Sequence, residues 1–164
     1  MQEFLQRDID YVMRVDEVMW GGLLLALTLM IHGIGLFLMM RASGTLMTRA
    51  SGRRVLGMGV LIVVAWMIVT IHLVEVLVWA GFFVWKGAQP SGASAFYNAL
   101  VNYTTLAAGY LPLRWRLLEG MLGMAGLLSF AWSTSALIAI AQQLLQQALT
   151  RAGGHGGTTG VVGK

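Results

Sequence analysis

Polar and apolar positions fall into long blocks along this chain. From Val18 to Met40 there is no Asp, Glu, Lys or Arg. A bilayer core of about 30 Å is crossed by roughly 20 apolar helical residues, so this block predicts a transmembrane helix. Val55–Trp85 is a longer block whose one formal charge is Glu75. At ~1.5 Å per residue it outruns the hydrocarbon and predicts a tilted or projecting second span. A third block, residues 116–141, continues into the polar stretch AQQLLQQALTR, which predicts a helix emerging from the membrane. Between the first two blocks, RASGTLMTRASGRR reads as a loop. After the second comes KGAQPSG, with Pro90 and Gly92 as breakers and Ser91 or Ser94 as a helix N-cap. Residues 93–104 then have helical patterning but are too short to span.

At the front of the chain, Leu5, Ile9, Val12 and Met13 repeat at helical spacing among Asp8, Asp10, Asp16 and Glu17. Residues 1–17 therefore predict an amphipathic surface helix. The Gly-rich stretch 151–164 predicts disorder.

Composition turns these blocks into a class. The chain has 164 residues, 57% of them hydrophobic and 11% charged, too few charges to solvate the apolar remainder. The mean hydropathy of +0.73 agrees. The expected fold is an all-α membrane protein with one domain, residues 18–150. Without cysteine, disulfides and thiolate metal sites are excluded. No basic cluster interleaved with aromatics suggests a nucleic-acid partner. No nucleophile–base pair or phosphate-binding loop suggests an enzyme, and no cofactor is expected. Arg41, Arg49, Arg53 and Arg54 crowd the first connection without an acid, which places it in the cytoplasm and the N-terminus outside. Trp20, Trp79, Trp85 and Trp115 then lie toward the outer interface, while Arg114 and Arg116 count against that orientation.

The segment NYTTLAAGYLP follows the short helix. A helix entering from outside aims its partially negative C-terminal end at the membrane centre, where it favours a cation. Irregular backbone at that depth survives only inside protein or along water. The sequence FYNALVNYTTLAAGY, followed by WRLLEGMLGMAGLLSFAWSTSALI, resembles the pore module of the potassium-channel superfamily, in particular its small bacterial branch. HLVEVLVWA on the second span is similar to a stretch of that branch.

The resemblance implies a re-entrant pore helix at 93–104, a filter at 104–110 and a homotetramer in a bacterial inner membrane, with an inorganic ion as the permeant partner. Thr104 and Thr105 match the paired threonines and Leu106 the aliphatic position. Ala107 stands for the first glycine, Ala108 for the tyrosine, and Gly109 keeps the second glycine. A side chain at a left-handed filter position costs roughly 1–2 kcal/mol. The expectation is therefore a shortened filter, with a monovalent cation at Thr104 and Thr105 and weak selectivity. A non-conducting scaffold that keeps the fold is the alternative.

Other polar residues complete the reading. His72 and Glu75 share a helix face and are expected to buttress the filter together with Tyr97, Asn102 or Tyr103. Met124, Leu128, Trp132 and Ser135 approximate one stripe on the third span and are expected to line the cavity or gate. Gly120, Gly123 and Gly126 offer either close helix packing or a hinge. His32 and His72 raise bis-histidine haem ligation. Counted from Met40 and Val55 at ~1.5 Å per residue, they fall about 12 and 25 Å from the cytoplasmic ends, a mismatch that argues against a shared iron.

Overall fold

The computed structural model describes residues 14–49, 54–106 and 109–154. Residues 1–13 of the expected surface helix 1–17, Arg53, Ala107, Ala108 and residues 155–164 of the Gly-rich stretch lie outside the described residues. Residues 15–17 open the first long helix and residues 151–154 end the last. The helices are α1 (Val15–Arg49), α2 (Arg54–Trp85), the short α3 (Gly92–Tyr103) and α4 (Leu117–Gly154), with a 3-10 turn at Leu113–Trp115. Helices α1, α2 and α4 are each long and apolar enough to cross a membrane, and the chain is a multi-pass helical membrane protein.

The first helix corrects the expected boundary at Met40. It continues to Arg49, and the anticipated RASGTLMTR loop is helical. Local polarity suggested a break, but packing overrides it. Met47 is buried with Met39, Val60, Val64 and Ile140 in one apolar cluster. Ser43 turns its hydroxyl onto the Met40 carbonyl at 2.8 Å, and Thr45 bonds the Arg41 carbonyl at 3.3 Å. Such bonds hide polar side chains within a helix.

A second apolar cluster occupies the other end, around Leu24, Trp79, Phe83, Leu118 and Leu122. Trp79, expected at the interface, is fully buried here and donates its indole N–H to Thr28 Oγ1 at 2.8 Å. At this end Trp20, Phe82, Trp85 and Trp115 are linked by ring contacts at 5.5–5.9 Å. Lys86 Nζ lies 4.3 Å from the Trp20 ring and 3.9 Å from the Trp85 ring. A Lys stem over apolar rings with its charge toward water suits an interfacial position.

The connection from α2 to α4 is fastened at several points. Ser91 caps α3 by accepting the Ser94 N–H at 3.2 Å. Glu17 of α1 accepts the Leu117 N–H at 2.6 Å, which satisfies a free donor at the start of α4. Glu119 accepts the Leu111 N–H at 2.8 Å.

Small residues set the helix approaches. A Cβ on Gly35 would meet Ile71 of α2 at 2.8 Å, and one on Gly123 would meet the Asn102 carbonyl at 3.3 Å. At Gly126 it would run into the Tyr103 carbonyl, whereas Gly120 faces open space. Gly123 and Gly126 thus serve close packing of α4 against the end of α3.

Candidate functional site

Between the two apolar clusters, one layer of polar side chains crosses the molecule. His32 comes from α1, His72 and Glu75 from α2, Tyr103 from the end of α3, and Ser133 from α4. His32 and Glu75 are both 0% exposed. His32 Nδ1 lies 2.7 Å from Glu75 Oε1. Tyr103 donates its hydroxyl to Glu75 Oε2. His72 Nδ1 meets the Tyr103 oxygen at 2.6 Å. Ser133 Oγ then closes the circuit, 3.2 Å from Nε2 of each imidazole.

This is a ring of five hydrogen bonds through five side chains. Proton counting shows how it can be satisfied without net charge. Each bond needs one proton, and the neutral forms of two histidines, a tyrosine, a serine and a glutamic acid supply one apiece. With one proton per bond the ring is satisfied and carries no net charge, either with the bonds pointing one way round or with a carboxylate beside an imidazolium. A neutral, satisfied cluster is the arrangement that a low-dielectric layer tolerates.

The ring revises the expected filter support. His72, Glu75 and Tyr103 come together as anticipated. The near partner of Glu75 is His32, however, since His72 Nδ1 stays 3.8 Å away. Asn102 is not a member: its amide donates to the Asn98 carbonyl at 3.0 Å and to Asn98 Oδ1 at 3.2 Å. Its own Oδ1 is buried without a partner among the described residues. Tyr97 points elsewhere, 59% exposed and beside the Tyr110 ring at 6.4 Å.

His32 and Ser133 were not anticipated as members. The polar step of Ser129 and Ser133 along an apolar helix was the available signal for α4. For His32, the misplaced end of α1 hid the match. Counted from Arg49, His32 lies about 25 Å along its helix, and His72 about 27 Å from Arg54. Their ring centroids are 5.2 Å apart. The depth argument against haem therefore fails. Packing gives a different reason: both Nε2 atoms converge on one Ser133 oxygen, so the imidazoles do not flank a slot for a macrocycle.

The end of α3 is the second part of the site. Leu106 N–H bonds the Val101 carbonyl at 3.0 Å and Thr105 N–H the Asn102 carbonyl at 2.9 Å, the pattern of a Schellman cap. Glycine usually takes the left-handed position of that cap. Here it is Thr105, with φ of 65°. Thr104 turns its hydroxyl back onto the Leu100 and Val101 carbonyls at 3.1 and 3.0 Å. A β-branched residue at positive φ is strained. Thr105→Gly is accordingly expected to raise stability by about 1 kcal/mol in denaturant titration. An unchanged or lower midpoint would show that the surroundings had already relieved the strain.

A cavity of about 460 Å³ opens beside this turn, lined by His72, Tyr103, Thr104 and Thr105 together with Leu127 and Phe130. None of the expected stripe Met124, Leu128, Trp132 and Ser135 lines it. At 100° per residue that stripe lies on another side of α4. Trp132 packs toward α1, its ring 6.1 Å from His32, and Ser135 bonds the Ala131 carbonyl at 3.0 Å.

Fold and site together define a multi-pass helical membrane protein whose short third helix is tied to its long helices by a buried polar ring. No family model, curated protein or solved structure matches the chain.

Proposed function

We propose that the chain forms a homotetrameric pore of potassium-channel type in a bacterial inner membrane. It would pass inorganic cations with weak selectivity over a threonine floor, Thr104 and Thr105. The N-terminus lies outside and the C-terminus in the cytoplasm. In this reading α3 is the re-entrant pore helix.

One observation carries the proposal: the turn Thr104–Leu106, at the end of α3, is exposed on a single chain beside the middle of α2. Tyr103, beside it, contacts His72, roughly 20 Å along α2 from Trp85. At that depth irregular backbone needs either surrounding protein or a water-filled cavity. A single chain supplies only one wall. Four copies around an axis enclose the turn and place one threonine pair from each at the centre.

Helix α4 completes the wall. Leu127 and Phe130 share the cavity with Thr105 and are 61% and 67% exposed. In this reading they line the wall beside the turn, and the expected stripe Met124, Leu128, Trp132 and Ser135 does not reach this cavity. A lining this apolar would narrow the path and gate by dewetting.

The committed hydroxyl of Thr104 and the left-handed Thr105 favour a second reading, a non-conducting scaffold. Flux separates the two. Purified protein in liposomes is expected to carry a cation flux that Thr105→Ala changes several-fold. An intact tetramer that passes no cation at any applied voltage would leave the scaffold reading.

A further inference from the structure

We infer that His32, His72, Glu75 and Tyr103 form a binding site for a divalent first-row transition-metal ion of the zinc class, joining α1, α2 and α3. One donor atom each from His32, His72 and Glu75 lies within 4.8 Å of the others. Two imidazoles, a carboxylate and a phenol oxygen are an N₂O₂ set, suited to zinc and its neighbours rather than to soft or alkaline-earth ions.

The spacing fits a small ion. A tetrahedron with metal–ligand bonds of 2.0–2.1 Å has edges of about 3.3 Å. His72 Nδ1 is 2.6 Å from the Tyr103 oxygen and 3.8 Å from Glu75 Oε2, and His32 Nδ1 is 2.7 Å from Glu75 Oε1, values on both sides of that edge. Admitting the ion therefore requires the closest pairs to part by less than about 1 Å and the widest, within 4.8 Å of each other, to close by up to about 1.5 Å.

The opposite sides of the imidazoles are already arranged for it. Metal-bound histidines donate their remaining N–H to an acceptor that fixes the ring. With the ion on the Nδ1 side, both Nε2–H groups point at Ser133 Oγ, 3.2 Å from each. An oxygen with two lone pairs accepts both, and the Ser133 proton turns to a helix carbonyl as buried serines commonly do.

Charge balances as well. The ion's two positive charges are matched by the Glu75 carboxylate and the Tyr103 phenolate. The neutral ring of five protons keeps three, on the two Nε2 atoms and on Ser133, and releases two to solvent. Entry is from the cavity, since His72 and Tyr103 line its wall. The metal-free ring is satisfied too, so the site can fill and empty without unfolding. Metal binding is independent of whether the pore conducts.

The test uses the full chain, stripped with a chelator and titrated with Co²⁺ while its visible ligand-field absorption is followed. The wild type is expected to develop the intense band of tetrahedral Co²⁺ at one ion per chain, and Zn²⁺ should abolish it. Glu75→Gln and His32→Ala should each remove the band. Glu75→Gln keeps a closed hydrogen-bond ring, so its loss of metal would not reflect unfolding. His155→Ala, which removes the histidine of the Gly-rich stretch, should leave the band unchanged. The site is refuted by absence of the band in the wild type, by its survival in either ring variant, or by its loss in His155→Ala.

Discussion

Glu75→Ala is expected to destabilise the detergent-solubilised protein by about 3 kcal/mol, measured as a shift in its denaturant unfolding curve. The carboxylate takes a hydrogen bond on each oxygen, one shared with His32 and one donated by Tyr103. Its removal leaves both groups without that partner at a position with 0% exposure. Breaking a buried ionic pair in a soluble core costs about 3–5 kcal/mol. In a membrane the unfolded helices find partial substitutes, which argues for the lower end of that range.

Glu75→Gln should behave differently. Its carbonyl accepts from His32 and its amide donates to Tyr103, which then donates to His72, and Ser133 completes the circuit in one direction. The ring closes without a charge, and the expected loss is within about 1 kcal/mol. If alanine proved as stable as wild type, or glutamine as damaging as alanine, the ring would not be what holds α3 in place.

The other large effect is expected at Gly126. An added Cβ would collide with the backbone carbonyl of Tyr103. Tyr103 cannot easily yield, because its hydroxyl is fixed by Glu75 and His72. Gly126→Ala should therefore cost about 3 kcal/mol, the upper part of the usual overpacking range. Gly120→Ala is its control on the same helix. Nothing lies within 4 Å of the added methyl, so helix propensity should make that variant more stable by about 1 kcal/mol. Equal effects at the two positions would mean that α3 does not pack against α4 through Gly126.

The sequence made some of this legible and hid the rest for identifiable reasons. The second and third spans are set by runs in which a non-helical backbone would leave its polar groups in lipid, and those helices appear near the expected residues. Residues 93–104 foretold α3 because Pro90, Ser91 and Gly92 form a start signal that acts locally. The end of α1 was not local. Met47 is held by Val60 and Ile140 on other helices, and no propensity over RASGTLMTR conveys that contact.

The same distinction governs the site. His72 and Glu75 were recognisable as a pair because helical spacing alone puts them on one face, and a carboxylate in a span must face protein. The registers of α1 and α4 against that face depend on where each long helix begins and ends and on which glycines permit close approach. Hence His32 and Ser133, 43 and 61 or more residues from their partners, emerged only with the tertiary structure. The lining of the cavity beside the turn depends on packing for a related reason. A helix offers several stripes, and the seat of α3 at Gly123 and Gly126 decides which one faces the threonine turn. By itself the sequence determined the class, the long helices and the short one, through backbone hydrogen bonding and hydrophobicity. Tertiary packing alone decided that a histidine from the first helix and a serine from the last would close a ring around Glu75.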